Sequence, residues 1–141
     1  MIDGIGGAFI FSNDPQTLAD WYSDFLDVKF ERAGDGGAFY TIYWALDPEN
    51  TTRKLDTTFS IMQASVPLPV RDRVEPEPEN MYGDQPFMVN LRVRDIDATL
   101  DALASKGVNA IKREDWDYGR FAWVRDADGN RVELYQPLTT A

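Results

Sequence analysis

Apolar residues follow two rhythms along the chain, and the switches between them outline its elements. Residues 4–11 form an apolar, glycine-rich run that predicts a buried strand. Asn13, Asp14 and Pro15 end it and predict a helix start, with Asp14 as the cap and Pro15 at the first helical position. Leu18, Trp21, Tyr22, Phe25 and Leu26 then recur at helical spacing and give one apolar face. Residues 28–33 predict a second strand, Asp35, Gly36 and Gly37 a turn, and residues 38–46 an aromatic-rich third strand. Asp47, Pro48, Glu49 and Asn50 predict another turn, and residues 57–64 a fourth strand.

Residues 65–86 break the pattern. Pro67, Pro69, Pro76, Pro78 and Pro86 stand there among acidic and polar residues, which predicts an extended linker with little regular structure. It is long for a simple loop, so it is expected to pack along the surface or to reach a partner subunit. Beyond it the order returns. Residues 87–93 predict a strand. A helix capped by Asp95 runs to about Lys106, with Ile96, Leu100 and Leu103 inside, and Gly107 ends it. Residues 108–114 predict a further strand.

Residues 119–136 then read as strand, turn, strand. Asp126, Asp128, Gly129 and Asn130 supply the turn chemistry. The run Asp126 to Asn130 resembles a calcium loop, but the acidic residue that would close such a loop comes too early, so it is read as a hairpin turn.

The two halves superpose as an internal repeat of strand, helix, strand, strand, strand. Asp14 falls on Asp95, Val28 on Val108, Trp44 on Trp123, Asp47 on Asp126 and Gln63 on Gln136. The expected organisation is a first module over residues 1–64, a proline-rich acidic linker over 65–86 and a second module over 87–141, together one domain.

Composition removes whole classes of chemistry. The chain of 141 residues has no cysteine and no histidine. Disulfides, thiol nucleophiles, Ser-His and Cys-His catalysis are excluded with them. The net charge of −10 and pI of about 4.3 oppose nucleic acid and anionic membranes as partners; the charge either serves solubility alone or also attracts cations. No stretch is long and apolar enough to span a membrane, and the N-terminus lacks a basic-then-apolar signal, so a cytoplasmic location is expected.

Three stretches carry a family resemblance: DPQTLADWYSDFL in the first half, VNLRVRDIDATLDALASKGV in the second, and YGRFAWVRDADGNRVELYQP near the end. With them the chain resembles the vicinal oxygen chelate superfamily of glyoxalases, bleomycin-resistance proteins and extradiol dioxygenases. The resemblance implies an α+β fold of two tandem βαβββ modules forming a curved mixed sheet around a cavity, and a homodimer is expected. Asp27 stands where the first module usually has glycine after its helix. Metal-dependent members hold a divalent ion from the first and last strands of each module. Those positions are Gly7, Ser60, Met88 and Glu133 here, and only Glu133 has a usual ligating side chain. Hard cations need several oxygen ligands, and Asn90 and Ser60 are the nearest further donors, so no metal and no cofactor is expected.

Strand parity orders the candidate site. If Glu133 faces the cavity, so do Arg131 and Tyr135. Met88, Asn90 and Arg92 share one face, as do Gly7, Phe9 and Phe11, and Ser60 and Met62. Trp44 and Trp123 fit either face. The candidate ligand-binding residues are therefore Phe9, Phe11, Trp44, Ser60, Asn90, Arg92, Trp123 and Tyr135, with Glu133 as candidate catalytic group. Core packing of Phe9, Phe11, Trp44 and Trp123 is the competing reading of the aromatics. Glu133 itself is open to two readings: an ion pair with Arg92, or a carboxylate kept for a ligand.

The functional expectation is a protein that binds a small, flat or cationic organic molecule in an aromatic-lined cavity without a metal. The alternative is a lyase or isomerase of glyoxalase type, with Glu133 as general base or residual metal ligand and Arg92 or Asn90 holding an enolate oxygen. A third possibility is an interaction module acting through the proline-rich stretch.

Overall fold

The computed structural model describes residues 1–35, 37–71 and 75–138. Gly36 of the expected turn, residues 72–74 of the proline-rich stretch and residues 139–141 lie outside the described residues. The elements run β1 (Gly7–Ser12), α1 (Pro15–Leu26), β2 (Glu31–Ala33), β3 (Ala38–Asp47), β4 (Asn50–Gln63), β5 (Val89–Arg92), α2 (Ile96–Ser105), β6 (Lys112–Trp116), β7 (Gly119–Arg125) and β8 (Arg131–Pro137). They make two four-stranded mixed sheets of one topology, β1-β4-β3-β2 and β5-β8-β7-β6. In each, the first and last strands of a βαβββ unit pair in parallel and the other pairings are antiparallel. The chain divides into two compact units, Met1–Leu68 and Pro69–Ala141.

Both helices start as the capping chemistry dictates. The Asp14 carboxylate accepts from Thr17 N at 3.1 Å, and Asp95 accepts from Ala98 N at 3.0 Å, each filling a donor left open in the first turn. The helix ends differ. After α2 the left-handed position is taken by Gly107, at φ 85°; after α1 it is taken by Asp27, at φ 56°. A Cβ in that conformation is disfavoured, and aspartate tolerates it only in part. Asp27→Gly is therefore expected to raise stability by about 0.5–1 kcal/mol, seen as a higher urea midpoint at unchanged slope. A lower midpoint would contradict this reading of the turn.

Each helix covers one face of its sheet. Under α1 lie Phe39, Phe59 and Ile61, met by Leu18 and Tyr22, with the Tyr22 ring edge-on to Phe59 at 5.4 Å. Under α2 lie Ala122, Val124, Val132 and Leu134, met by Ile96 and Leu103. The opposite faces differ. On the first sheet, register places Phe9, Phe11, Ile42, Trp44 and Leu46 together on the face away from α1, and all are about half exposed. On the second sheet, the face away from α2 is itself a core, where Met81, Phe121 and Trp123 are buried and Met88, Ile111 and Tyr135 pack around them. Buried on both sides, β7 and β8 show runs of buried residues where β1 alternates.

Several boundaries depart from the sequence reading. β2 starts at Glu31, because Val28 is buried at the helix end, its N–H on Tyr22 O. β6 starts at Lys112, because Val108 still closes the α2 turn onto Leu103 O. β4 begins as early as Asn50, extending the first hairpin well beyond the second. That extension overturns the match of Trp44 with Trp123. Tyr40 stands opposite Ser60 as Trp123 stands opposite Glu133, whereas Trp44 lies further out, opposite Asp56. The Asp126 turn is a hairpin turn: its carboxylate accepts from Asp128 N at 3.0 Å and from Asn130 N at 2.9 Å, with Gly129 at φ 81°.

Candidate functional site

No helix or strand forms among the described residues of 65–86, as the prolines dictate, but the segment is more than a connection. Residues 77–84 lie across the second sheet on the face away from α2. The sheet supplies the reason. Register places Lys112, Arg125 and Arg131 on that face, and Arg125 stands directly opposite Arg131. Two like charges facing each other across a strand pair repel unless an anion joins them. Glu77 does so, at 2.7 Å from Arg125 and 3.7 Å from Arg131. Asp84 grips Arg131 with both oxygens, at 2.6 and 3.0 Å, and the Met81 carbonyl accepts from the same guanidinium at 3.2 Å. Lys112 donates to Glu79 O at 2.8 Å. The Met81 side chain, 3% exposed, plugs into the aromatic core below.

Beneath this strap sits Glu133, 6% exposed. Its two oxygens have different donors. The Tyr82 hydroxyl donates to Oε1, and Asn90 Nδ2 donates to Oε2 at 2.5 Å. Asn90 is placed by register, directly opposite Glu133 on the neighbouring parallel strand. Arg92 stands one step further along, opposite Tyr135, and is exposed. The expected Arg92–Glu133 pair is thus replaced by two neutral donors. The phenol stays firmly protonated, its pKa pushed up by desolvation and by the hydrogen bond to Glu133. Tyr82 is therefore the donor to Glu133.

The structure brings Asn90, Trp123 and Glu133 together, and places Tyr135 on the same face, stacked on Phe121 at 5.0 Å. Gly119 makes room for that stack, since a Cβ there would come within 2.5 Å of the Tyr135 ring. Trp123 is a buried wall, 1% exposed, with its Nε1 lacking a partner among the described residues. The candidates of the first module lie on its own sheet. Phe9 pairs with Ser60, which is buried, and Trp44 carries Lys54 Nζ 4.4 Å above its ring. Sequence reasoning missed Glu77, Met81, Tyr82 and Asp84. The available signal was an acidic run with one apolar pair, Met81-Tyr82, set against three basic residues at face positions.

The donor set does not fit a divalent ion at the positions the resemblance implies. Gly7 has no side chain, and a Cβ there would come 2.8 Å from Thr58 O. Met88 offers a thioether, poorly suited to a hard cation, and Ser60 a neutral hydroxyl. Both oxygens of Glu133 already accept hydrogen bonds. Among the described residues, no three His, Cys, Asp or Glu side chains converge as a cation-holding group.

A cleft of about 510 Å³ opens beside the strap, lined by Glu79, Asn80, Met81 and Tyr82 on one side and Lys112, Glu114 and Trp116 on the other. Trp116 is half exposed, and Glu114 pairs with Lys112 at 2.9 Å. A second cleft, about 300 Å³, runs along Tyr82 to Met88 and reaches Arg131.

The model of the Glyoxalase/Bleomycin resistance protein/Dioxygenase superfamily matches residues 4–134. No curated protein matches the sequence. Among solved structures, TioX from Micromonospora sp. ML1 is similar at a TM-score of 0.60 and 16% identity, over 96% of this chain and 100% of that one. Lactoylglutathione lyase from Agrobacterium tumefaciens is similar at 0.60 and 13%, over 96% and 94%. A glyoxylase/bleomycin resistance protein/dioxygenase domain from Frankia sp. EAN1pec is similar at 0.55 and 17%, over 97% and 99%. At these identities the likeness is one of fold. No helix is long and apolar enough to cross a membrane among the described residues.

Proposed function

The chain belongs to the Glyoxalase/Bleomycin resistance protein/Dioxygenase superfamily, and from that premise we propose that it binds a small organic molecule at the strapped face of its second sheet, without a metal ion at the usual positions. One observation carries the reading: the carboxylate at the family's metal-binding position is buried and satisfied by neutral hydrogen-bond donors, beside a cleft of ligand size. The cleft walls support one ligand class. Trp116 and Tyr82 offer aromatic surface, Lys112 is matched by Glu114, Glu79 adds one further negative charge, and the whole chain carries a net charge of −10. A flat, cationic molecule gains from stacking and from long-range attraction together.

Proflavine, a planar aromatic cation, is a suitable probe. It is expected to quench tryptophan fluorescence saturably, and Trp116→Ala to weaken its binding about tenfold. Saturation that ignores Trp116→Ala would place the ligand elsewhere.

A second reading rests on the same buried carboxylate. Glu133 sits among aromatic side chains, where a carboxylate is suited to take a proton from carbon next to a carbonyl. Its Oε1 becomes available only when Tyr82 moves away. Glu133→Gln separates the readings, since a base loses turnover with that change while a binder has no turnover to lose.

A further inference from the structure

Tyr82 is built into the strap in an unusual way. The neighbouring residues hold the strap down: Met81 by burial, Asp84 and the Met81 carbonyl through Arg131, and Glu77 through Arg125. Tyr82 itself is 52% exposed and forms part of the wall of both clefts. Its ring stands edge-on to Trp123 at 5.9 Å and 88°, and its hydroxyl ends on Glu133. The side chain can therefore turn into the adjoining cleft while the strap stays anchored. What it leaves behind is an acceptor, Glu133 Oε1, above an aromatic wall. The Trp123 indole N–H of that wall is itself buried and without a partner among the described residues. An unpaired buried donor is uncommon and is satisfied by an arriving acceptor.

We propose that this is a site for a hydroxylated aromatic ligand, held in the free protein by the chain's own Tyr82. The ligand's phenolic hydroxyl takes the place of the Tyr82 hydroxyl on Glu133, its ring lies against Trp123, and an acceptor substituent meets Trp123 Nε1. Tyr82 is thus an internal competitor. Desolvation and the hydrogen bond to Glu133 push its pKa further above its ordinary value. The inference rests on the proposed binding face and adds the ligand's functional group and the contact it must displace.

The probe is p-cresol, the tyrosine side chain as a free molecule, titrated by tryptophan fluorescence. Tyr82→Ala removes the competitor and is expected to bind p-cresol at least about tenfold more tightly than the unaltered chain. Toluene, lacking the hydroxyl, is expected to gain far less, and adding Glu133→Gln to Tyr82→Ala to abolish the p-cresol gain. In Tyr82→Phe the ring still fills the space, so the gain is expected to stay within about threefold. Equal p-cresol affinity with and without Tyr82, or an equal gain for toluene, would overturn the proposal. Proflavine titration of the same variants separates the two claims. If p-cresol fails while Trp116-dependent proflavine binding persists, only the Tyr82 site falls. If the p-cresol gain appears while proflavine does not bind, the cationic reading of the cleft falls.

Discussion

Arg131→Ala is expected to lower stability by about 2–3 kcal/mol and to free residues 77–84 from the second sheet. The Arg131 side chain is 2% exposed and joins Asp84, Glu77 and the Met81 carbonyl in one network. Removing one partner of a fully buried pair costs roughly 3–5 kcal/mol, and the expected loss falls to the bottom of that range or just below it because the Asp84 side chain, 42% exposed, regains water. Urea denaturation reads the stability, and amide exchange over 77–84 reads the strap. Acid is expected to act on the same latch. The Arg131 guanidinium holds the Asp84 carboxyl below its ordinary value of 3.8. A group with a depressed folded pKa contributes fully above the unfolded value and loses that contribution as pH falls through the folded one. Strap exchange is therefore expected to speed up below about pH 4 and to change little between pH 5 and 8. Unchanged protection of the strap in Arg131→Ala would contradict the latch.

Trp123→Ala is expected to have the largest effect on stability, a loss of about 3–5 kcal/mol. The side chain is among the largest fully buried ones and packs with Met81 and Phe121. Its removal opens a cavity under the strap that the flanking strands cannot close. Trp44→Ala is the internal control: that side chain is 57% exposed, and its loss is expected to stay within about 0.5–1 kcal/mol, including its contact with Lys54. A Trp123→Ala loss as small as that of Trp44→Ala would show that the second face is not a core.

These two tryptophans also mark where the sequence was legible and where it was not. The caps at Asp14 and Asp95, the repeated element order and the split of polar and apolar faces are local signals, set by side-chain chemistry and strand period. They hold in the structure. Parity correctly put Asn90, Arg92 and Glu133 on one face, but parity does not fix register. Only the pairing shows that Asn90 faces Glu133 while Arg92 lies one step on. The outer half of β4, with Thr51, Thr52, Arg53 and Lys54, is polar on both faces and so carried no alternation to read. Without it Trp44 was matched to Trp123, a residue of opposite burial. The strap was illegible for a different reason. Its contacts join residues about fifty positions apart, such as Glu77 with Arg125 and Met81 with Arg131. Composition announced prolines and acids, and nothing local said which basic residues they would meet.

Glu133 is proposed to serve as a hydrogen-bond acceptor for an organic ligand, in a position where the family resemblance implies a metal ligand. Native mass spectrometry of the purified chain, before and after incubation with magnesium, nickel and zinc ions, tests this central claim most directly. The account predicts the bare chain, or the chain with a retained organic mass, and no divalent ion kept in a one-to-one ratio. One ion retained per chain, and lost in Glu133→Gln, would contradict it.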